Sequence, residues 1–356
     1  MSIFWEQIRK ARDFVEKLCC DVVEGKSVLL SFPEGTPWSN ELYSFAENLF
    51  LERSPDYTVY LIENEDSSLD TLLLERFCRR EVRATYRRNM GVAAFLASRT
   101  DTPLHSSYVW VRIRSEQRLN EWMDFVGKYL SLMSPKPEKA SFILETEGLH
   151  TVAHTKGIGV LDWSQSADAY DVYTYCALES SETNIAPLLR PYLVELASRL
   201  CGTDVELARV CVLAGEDFLS APEETLRELK AFAARSNGQP FSFPIDSEKC
   251  AAHIWEAQIR CLFAILEKYR SSYVSRHKPE IMACLPFSTK DRILISELKD
   301  VELGHLVYLA AEKRLHIPST DYDMLDFLRQ ARNDLAHLNM LSFEKVQRIL
   351  RLGSTL

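Results

Sequence analysis

The residues best suited to chemistry stand near the end of the chain, in Leu325-Asp326-Phe327-Leu328-Arg329-Gln330-Ala331-Arg332-Asn333-Asp334-Leu335-Ala336-His337-Leu338. Leu325, Leu328, Ala331, Leu335 and Leu338 follow the three-four spacing of a helix, which makes one face core. Asn333 and His337 are four apart and share a second face, with Arg332 beside them. A guanidinium neutralises phosphate as a planar fork, and an imidazole exchanges protons near neutral pH, so the set suits a phosphodiester. On RNA the 2′-hydroxyl is then the nucleophile. His337 acts as general base or acid, Arg332 stabilises charge on the phosphorane, and Asn333 holds His337 or the phosphate. The products are a 2′,3′-cyclic phosphate and a 5′-hydroxyl. One motif supplies one histidine where the reaction wants a base and an acid, and a face-to-face dimer supplies the second. The plainer alternative is a surface arginine with an asparagine and a histidine that cap a neighbouring helix.

Arg332-Asn333-x-x-x-His337 resembles the R-x4–6-H motif of HEPN domains. The long opening helix around His253-Ile254-Trp255-Glu256-Ala257-Gln258-Ile259-Arg260 and a middle Glu302-Leu303-Gly304-His305-Leu306 add to the likeness, which covers residues 250–356. The resemblance implies an all-helical bundle, metal-independent endoribonuclease activity and a dimer that brings two motifs to one cleft. Many HEPN proteins are instead adaptors or inactive relatives.

Around this motif, Glu256 reads either as support for the cleft or as the partner of Arg260, four residues on, while Glu267 and Arg270 read as a solvent-exposed pair. Asp334 is placed to orient His337 of the same or the partner chain, though ordinary helix polarity accounts for it equally. Arg76, Arg80, Arg83 and Arg87 recur at helical spacing and predict a one-sided cationic stripe, either for nucleic acid or protein docking or as a solvated face. His150 and His154 lie behind Glu145 and Glu147 but do not form H-E-x-x-H. No metal and no cofactor are expected.

The elements that carry these residues follow from hydrophobic patterning. A helix is predicted over 3–23 and strands over 28–32, 58–63, 108–114, 141–145, 158–163 and 172–178. Helices are predicted between them over 69–98 and 116–133, with another from Glu41 to Leu51. Alternation of strand and helix implies a mostly parallel sheet covered on both faces. Gly25-Lys26-Ser27 imitates the end of a phosphate loop, but a helix precedes it and a strand follows, the reverse of what phosphate binding needs. The loop Pro33-Glu34-Gly35-Thr36-Pro37-Trp38-Ser39-Asn40 is in the right place. It has one glycine and no lysine, and Glu34 repels phosphate. Phe142-Ile143-Leu144-Glu145 has the form of a Walker B strand. Helices over 188–200, 205–214 and 223–234 then suggest a lid. This order resembles a STAND or AAA-type ATPase whose phosphate loop has degenerated.

The expected fold is α/β: a degenerate P-loop-like domain at 1–183, a helical lid at 184–235, a linker at 236–247 marked by Asn237-Gly238 and two prolines, and a HEPN-like helical domain at 248–356. Its helices are predicted over 248–275, 299–314, 321–337 and 342–352, the last with Ser342 as N-cap. A net charge of −9 with 26% charged residues argues against a surface coated for non-specific nucleic-acid binding. Nine cysteines without a C-x-x-C pair point to a reduced, cytoplasmic setting. Apolar runs are too short for a membrane span. Taken together, these features suggest an endoribonuclease effector of bacterial antiviral defence or toxin systems, with RNA as substrate and a homodimer formed through its C-terminal domain. The alternatives are a non-catalytic adaptor of a defence or DNA-processing complex and, less favoured for want of the lysine, a nucleotide switch.

Overall fold

The computed structural model describes residues 3–63, 67–133, 139–149, 157–163, 167–289 and 292–355. The chain divides into two units, Met1–Asp171 and Val172–Leu356.

The first unit opens with α1 (Phe4–Gln7) and α2 (Arg9–Val23), followed by β1 (Ser27–Phe32), α3 (Ser39–Arg53) and β2 (Thr58–Ile62). After α4 (Leu69–Phe77), α5 (Arg80–Arg83) and α6 (Val92–Ala97) come β3 (Ser107–Ile113), α7 (Glu116–Met133), β4 (Ser141–Glu147) and β5 (Ile158–Asp162). All five strands are parallel and their order is β2-β3-β4-β1-β5. The register places Leu29 between Leu144 and Val160, and Trp110 beside Ile143. β3 is buried at all seven positions, as expected for a central strand covered on both faces, whereas β2 and β5 at the edges are partly exposed. Phe77, Leu96, Val109, Val111, Trp122, Val126, Phe142 and Leu144 belong to one core cluster. A separate aromatic group gathers Phe4, Trp5, Phe14, Phe32, Trp38 and Trp163.

The helix expected over 69–98 is broken. Cys78 and Arg79 are extended, a short 3-10 turn spans Arg88–Met90, and Gly91 adopts φ +74° before α6 starts. Gly91 supplies a left-handed backbone at little steric cost. The break at 78–79 lies beside Phe77, whose carbonyl accepts the Thr102 hydroxyl at 2.9 Å.

The second unit is helical: α8 (Ala169–Ser181, which crosses the boundary), α9 (Arg190–Cys201), α10 (Val205–Ala214), α11 (Glu216–Ser220), α12 (Pro222–Phe232), α13 (Ser247–Arg276) and α14 (Lys278–Cys284). A two-stranded antiparallel hairpin, β6 (Phe287–Ser288) and β7 (Leu294–Ile295), leads to α15 (Leu303–Ala311), α16 (Ser319–Ala336) and α17 (Phe343–Gly353). The strand expected over 172–178 is instead part of α8. Its β-branched and aromatic residues imitate a strand, but Val172, Tyr175, Cys176, Glu179 and Ser180 are buried at helical spacing. The Asp168 carboxylate accepts the Tyr170 and Asp171 amides at 2.9 Å and starts the helix.

The helices over 184–235 and those after 247 fall in this one unit. The segment 236–247 between them is fastened to α10: Arg235 pairs with Asp204 and Glu206 and stacks on Phe241, which is buried. No helix among the described residues is long and apolar enough to cross a membrane.

Candidate functional site

In open parallel sheets, ligands bind beyond the carboxyl ends of the strands, where the strand order reverses. Here that place is the loop from β1 into α3. Several of its polar groups are taken up from within, while Arg112 Nη2 is buried without a hydrogen-bond partner among the described residues. The Gly35 amide, which would face a phosphate, donates to Glu147 Oε1 at 2.8 Å, and Glu147 is held in turn by Arg114 at 3.3 Å. The Thr36 hydroxyl bonds to the Pro33 carbonyl. The Trp5 indole of α1 donates to the carbonyls of Pro37 and Trp38, so an aromatic wedge backs the loop. Glu145, two residues before the end of β4, is not an open carboxylate. It is buried, accepts from the Trp110 indole at 2.5 Å and pairs with Arg112 at 3.3 Å, and burial pushes its carboxyl above the usual range. Arg112 also reaches Glu63 at 2.5 Å and Asn40 at 2.6 Å. A carboxylate therefore occupies the place of a phosphate.

The second candidate is built on α16. Leu325, Leu328, Ala331 and Leu335 are buried and fix the rotation of the helix, leaving Arg332 and Asn333 on the wall of an open cleft of about 600 Å³. Glu267 of α13, Thr289 and Ile293 of the hairpin, Arg329 of α16 and Glu302, His305 and Tyr308 at or in α15 complete much of the lining. Arg332 pairs with Glu302 at 3.2 Å, and Arg329 is held by Asp326 through two bonds of 2.9 and 2.7 Å. The Arg332 and Glu302 side chains are 34% and 56% exposed, so their pair contributes only about 0–1 kcal/mol and a phosphate can displace the carboxylate.

His337 ends the helix and is exposed. The Leu338 amide bonds to the Leu335 carbonyl and the Asn339 amide to the Asp334 carbonyl, a Schellman closure with Leu338 left-handed at φ +62°. Leu338, expected on the core face, is instead 69% exposed, because the helix stops before reaching it. The last turn is clamped by α13: the Trp255 indole donates to the Leu335 carbonyl at 2.8 Å, while the buried Gln258 side chain bonds both the amide and the carbonyl of Leu341 at 2.8 and 2.9 Å.

No protein-family profile matches this chain, and no curated protein matches it in sequence. Among solved structures, similarity is to the Drosophila origin recognition complex bound to DNA, 14% identical over 70% of this chain and 80% of that one, with a TM-score of 0.41. Cdc6p from Pyrobaculum aerophilum is 10% identical over 98% and 95%, with a TM-score of 0.36. A Pyrococcus horikoshii signal transduction ATPase with numerous domains and a tetratricopeptide repeat sensor is 9% identical over 95% and 57%, with a TM-score of 0.32. The five-stranded parallel sheet in the order β2-β3-β4-β1-β5 is consistent with the ATPase-like fold expected from the sequence.

The structure brings Arg332 and Asn333 to one cleft and sets His337 at the exposed end of the same helix, outside the residues that line it. Asp334 pairs with Lys345 of α17 at 3.2 Å. Glu256 does not line the cleft: it pairs with Arg199, and Arg260 turns to the buried Glu195 instead of to Glu256. Glu267 and Arg270 pair as expected, at 2.7 Å. The arginine stripe is not one helix face, since Arg76 lies on α4, Arg80 and Arg83 on α5, and Arg87 beyond it. Ser342 stands at the N-cap of α17 but its side chain makes no capping bond there. His150 and His154 lie outside the described residues.

Sequence reasoning missed His305. Its Nδ1 lies 3.1 Å from the Glu302 amide and 3.2 Å from the Asp300 carbonyl. Nδ1 accepts from the amide or donates to the carbonyl, according to the tautomer. The signal was present in Glu302-Leu303-Gly304-His305, whose first and last residues form a capping box.

Proposed function

We propose that the protein is a metal-independent endoribonuclease of HEPN type whose ATPase-like N-terminal domain binds no nucleotide and serves as its regulator. The observation that carries this reading is the cleft on α16. Arg332 and Asn333 line an open cavity, and His337 follows one turn later at a solvent-facing helix end. Arg332 neutralises the scissile phosphate after displacing Glu302. His337 takes the 2′-hydroxyl proton as the 2′-oxygen attacks phosphorus, and an acid returns a proton to the leaving 5′-oxygen. Asn333 orients the phosphate. The second proton-transfer group is His337 of a second copy. In support of a dimer, exposed Leu338 and Met340 stand directly after His337, 69% and 46% exposed, and a second copy would cover them. An effector role in bacterial antiviral defence or toxin systems belongs to the same reading.

A test is RNA cleavage by purified protein in EDTA, with the wild type beside Arg332→Ala and His337→Ala. The expected result is cleavage that survives the chelator, leaves cyclic phosphate ends, and disappears in both variants. Cleavage that persists in both variants rejects the assignment. A wild type that dimerises but cleaves no RNA favours the adaptor reading, for which the internally satisfied loop after β1 is the supporting observation, since an adaptor needs no nucleotide turnover.

A further inference from the structure

We infer that the arginine-rich segment between α4 and the end of α6 is a docking surface for the sugar-phosphate backbone of single-stranded RNA. The choice of RNA rests on the cleavage reading above; the surface itself does not. Residues 76–99 hold seven arginines, Arg76, Arg79, Arg80, Arg83, Arg87, Arg88 and Arg99, against one carboxylate, Glu81, in a chain whose net charge is −9. Between Lys26 and Lys128 the chain has eleven arginines and no lysine. A solvated surface is served equally well by lysine. Exclusive use of the planar, five-donor fork is what bidentate phosphate recognition selects.

The segment folds back on itself, so that its end meets its middle. Arg99 donates to the Thr85 hydroxyl at 2.8 Å and lies over Phe95, while Tyr86 packs edge-on against Phe95 and bonds Asp70 at 2.7 Å. Arg76 sits over the Tyr60 ring, Arg83 is 3.7 Å from Glu75, and Arg87 donates to the Ala84 and Tyr86 carbonyls at 3.4 and 3.3 Å. Arg79, Arg80, Arg87 and Arg88 are exposed, and among the described residues none of the four forms an ion pair. These four guanidinium groups within residues 79–88, where Glu81 is the only carboxylate, repel one another in the free protein, and a polyanion relieves this. The broken helix matters here. A continuous helix would array arginines along one straight stripe, whereas here they are divided among α4, α5, the 3-10 turn and the residues between and beyond them. Met90, 53% exposed at the end of that turn, offers an apolar contact for a base.

The test uses the full chain carrying His337→Ala, so that binding is read without cleavage. A fluorescein-labelled 20-mer of single-stranded RNA is titrated by anisotropy at several salt concentrations. The same is done after Arg79→Gln, Arg80→Gln, Arg87→Gln and Arg88→Gln are added together, with circular dichroism to show that the fold is kept. The expected result is a loss of affinity of about tenfold or more, with the salt slope reduced by about 3, since each single-strand phosphate contact contributes about 0.7. Unchanged affinity in the quadruple variant overturns the proposal. So does equal binding of single-stranded DNA, which removes the assignment to RNA, or displacement of the RNA by poly-glutamate at matched charge, which marks an acidic protein surface instead. If the wild type cuts no RNA but the binding result holds, the cleavage reading fails and this surface stands.

Discussion

Two places in this molecule have the residue types of a functional site, and they differ in where their polar groups are satisfied. At the end of β1, Gly35 donates to Glu147, Arg112 is enclosed by Glu63, Glu145 and Asn40, and Trp5 seals the loop carbonyls. On α16, Arg332 holds a half-exposed carboxylate that a phosphate can replace, Asn333 faces an open cavity and His337 faces solvent. At the first, the groups named are bonded within the chain. At the second, the arginine's carboxylate partner and the histidine stand open to solvent.

The largest expected effect separates the two directly. Arg112→Met leaves Glu145 buried with its charge partner gone, and should cost about 3–5 kcal/mol. Arg332→Ala breaks a half-exposed pair and should cost less than about 1 kcal/mol while abolishing cleavage. Urea titrations of both variants check this. A stable Arg112→Met would mean that the β1 site is not structural and would erase the contrast. Next comes Gln258→Leu, which strands the amide and carbonyl of Leu341 and should cost about 1–3 kcal/mol. Because Gln258 anchors the segment that follows His337, its loss should also lower kcat more than it raises KM. Full activity at reduced stability would show that the clamp does not position the site.

The parallel sheet was legible because β1 to β5 are short apolar runs separated by helical periods, whereas the order of its strands was not read from the sequence. The helix of α16 was legible because four of its five apolar positions are truly buried. Errors arose where local pattern and tertiary context disagree. Val172-Tyr173-Thr174-Tyr175 has strand chemistry, yet Asp168 caps a helix whose buried positions run three and four apart. Leu338 continues the apolar period, yet the Schellman closure at His337 ends the helix first. The partners of Glu256 and Arg260, four apart on one helix, went to Arg199 and Glu195 on another, which no spacing rule within α13 can show. The capping box of His305 was legible, but its place in the same cleft as Arg332 is a product of how α15 packs on α16.

A smaller effect has the opposite sign. Leu338 is left-handed and exposed, a conformation that costs an L side chain about 1–2 kcal/mol, and against glycine's extra entropy loss of about 0.5–1 kcal/mol Leu338→Gly should raise the stability of the monomer by up to about 1 kcal/mol. If the apolar surface beside His337 is kept for a second copy, the same change should weaken dimerisation and cleavage. Sedimentation equilibrium beside thermal melting reads both. Higher stability with unaltered self-association would leave the strained leucine without a role in the dimer.

The smallest expected effect is none. A ligand that binds only the folded protein raises its stability by about 2.7 kcal/mol at one hundred times its Kd, so even a weak nucleotide site shows as a shift in Tm at millimolar concentration. Glu147 already holds the Gly35 amide, Glu34 and Glu145 stand nearby, and no lysine occurs between Lys26 and Lys128 to offset them. An incoming triphosphate would have to expel a carboxylate held by Arg114 and then sit among like charges. Magnesium ATP, ADP and GTP should each leave Tm unchanged within about 1 °C, a bound set by the several degrees that 1 kcal/mol shifts a domain of this size. A shift of several degrees would show that Glu147 is a displaceable latch, and the two sites would then differ in degree and not in kind.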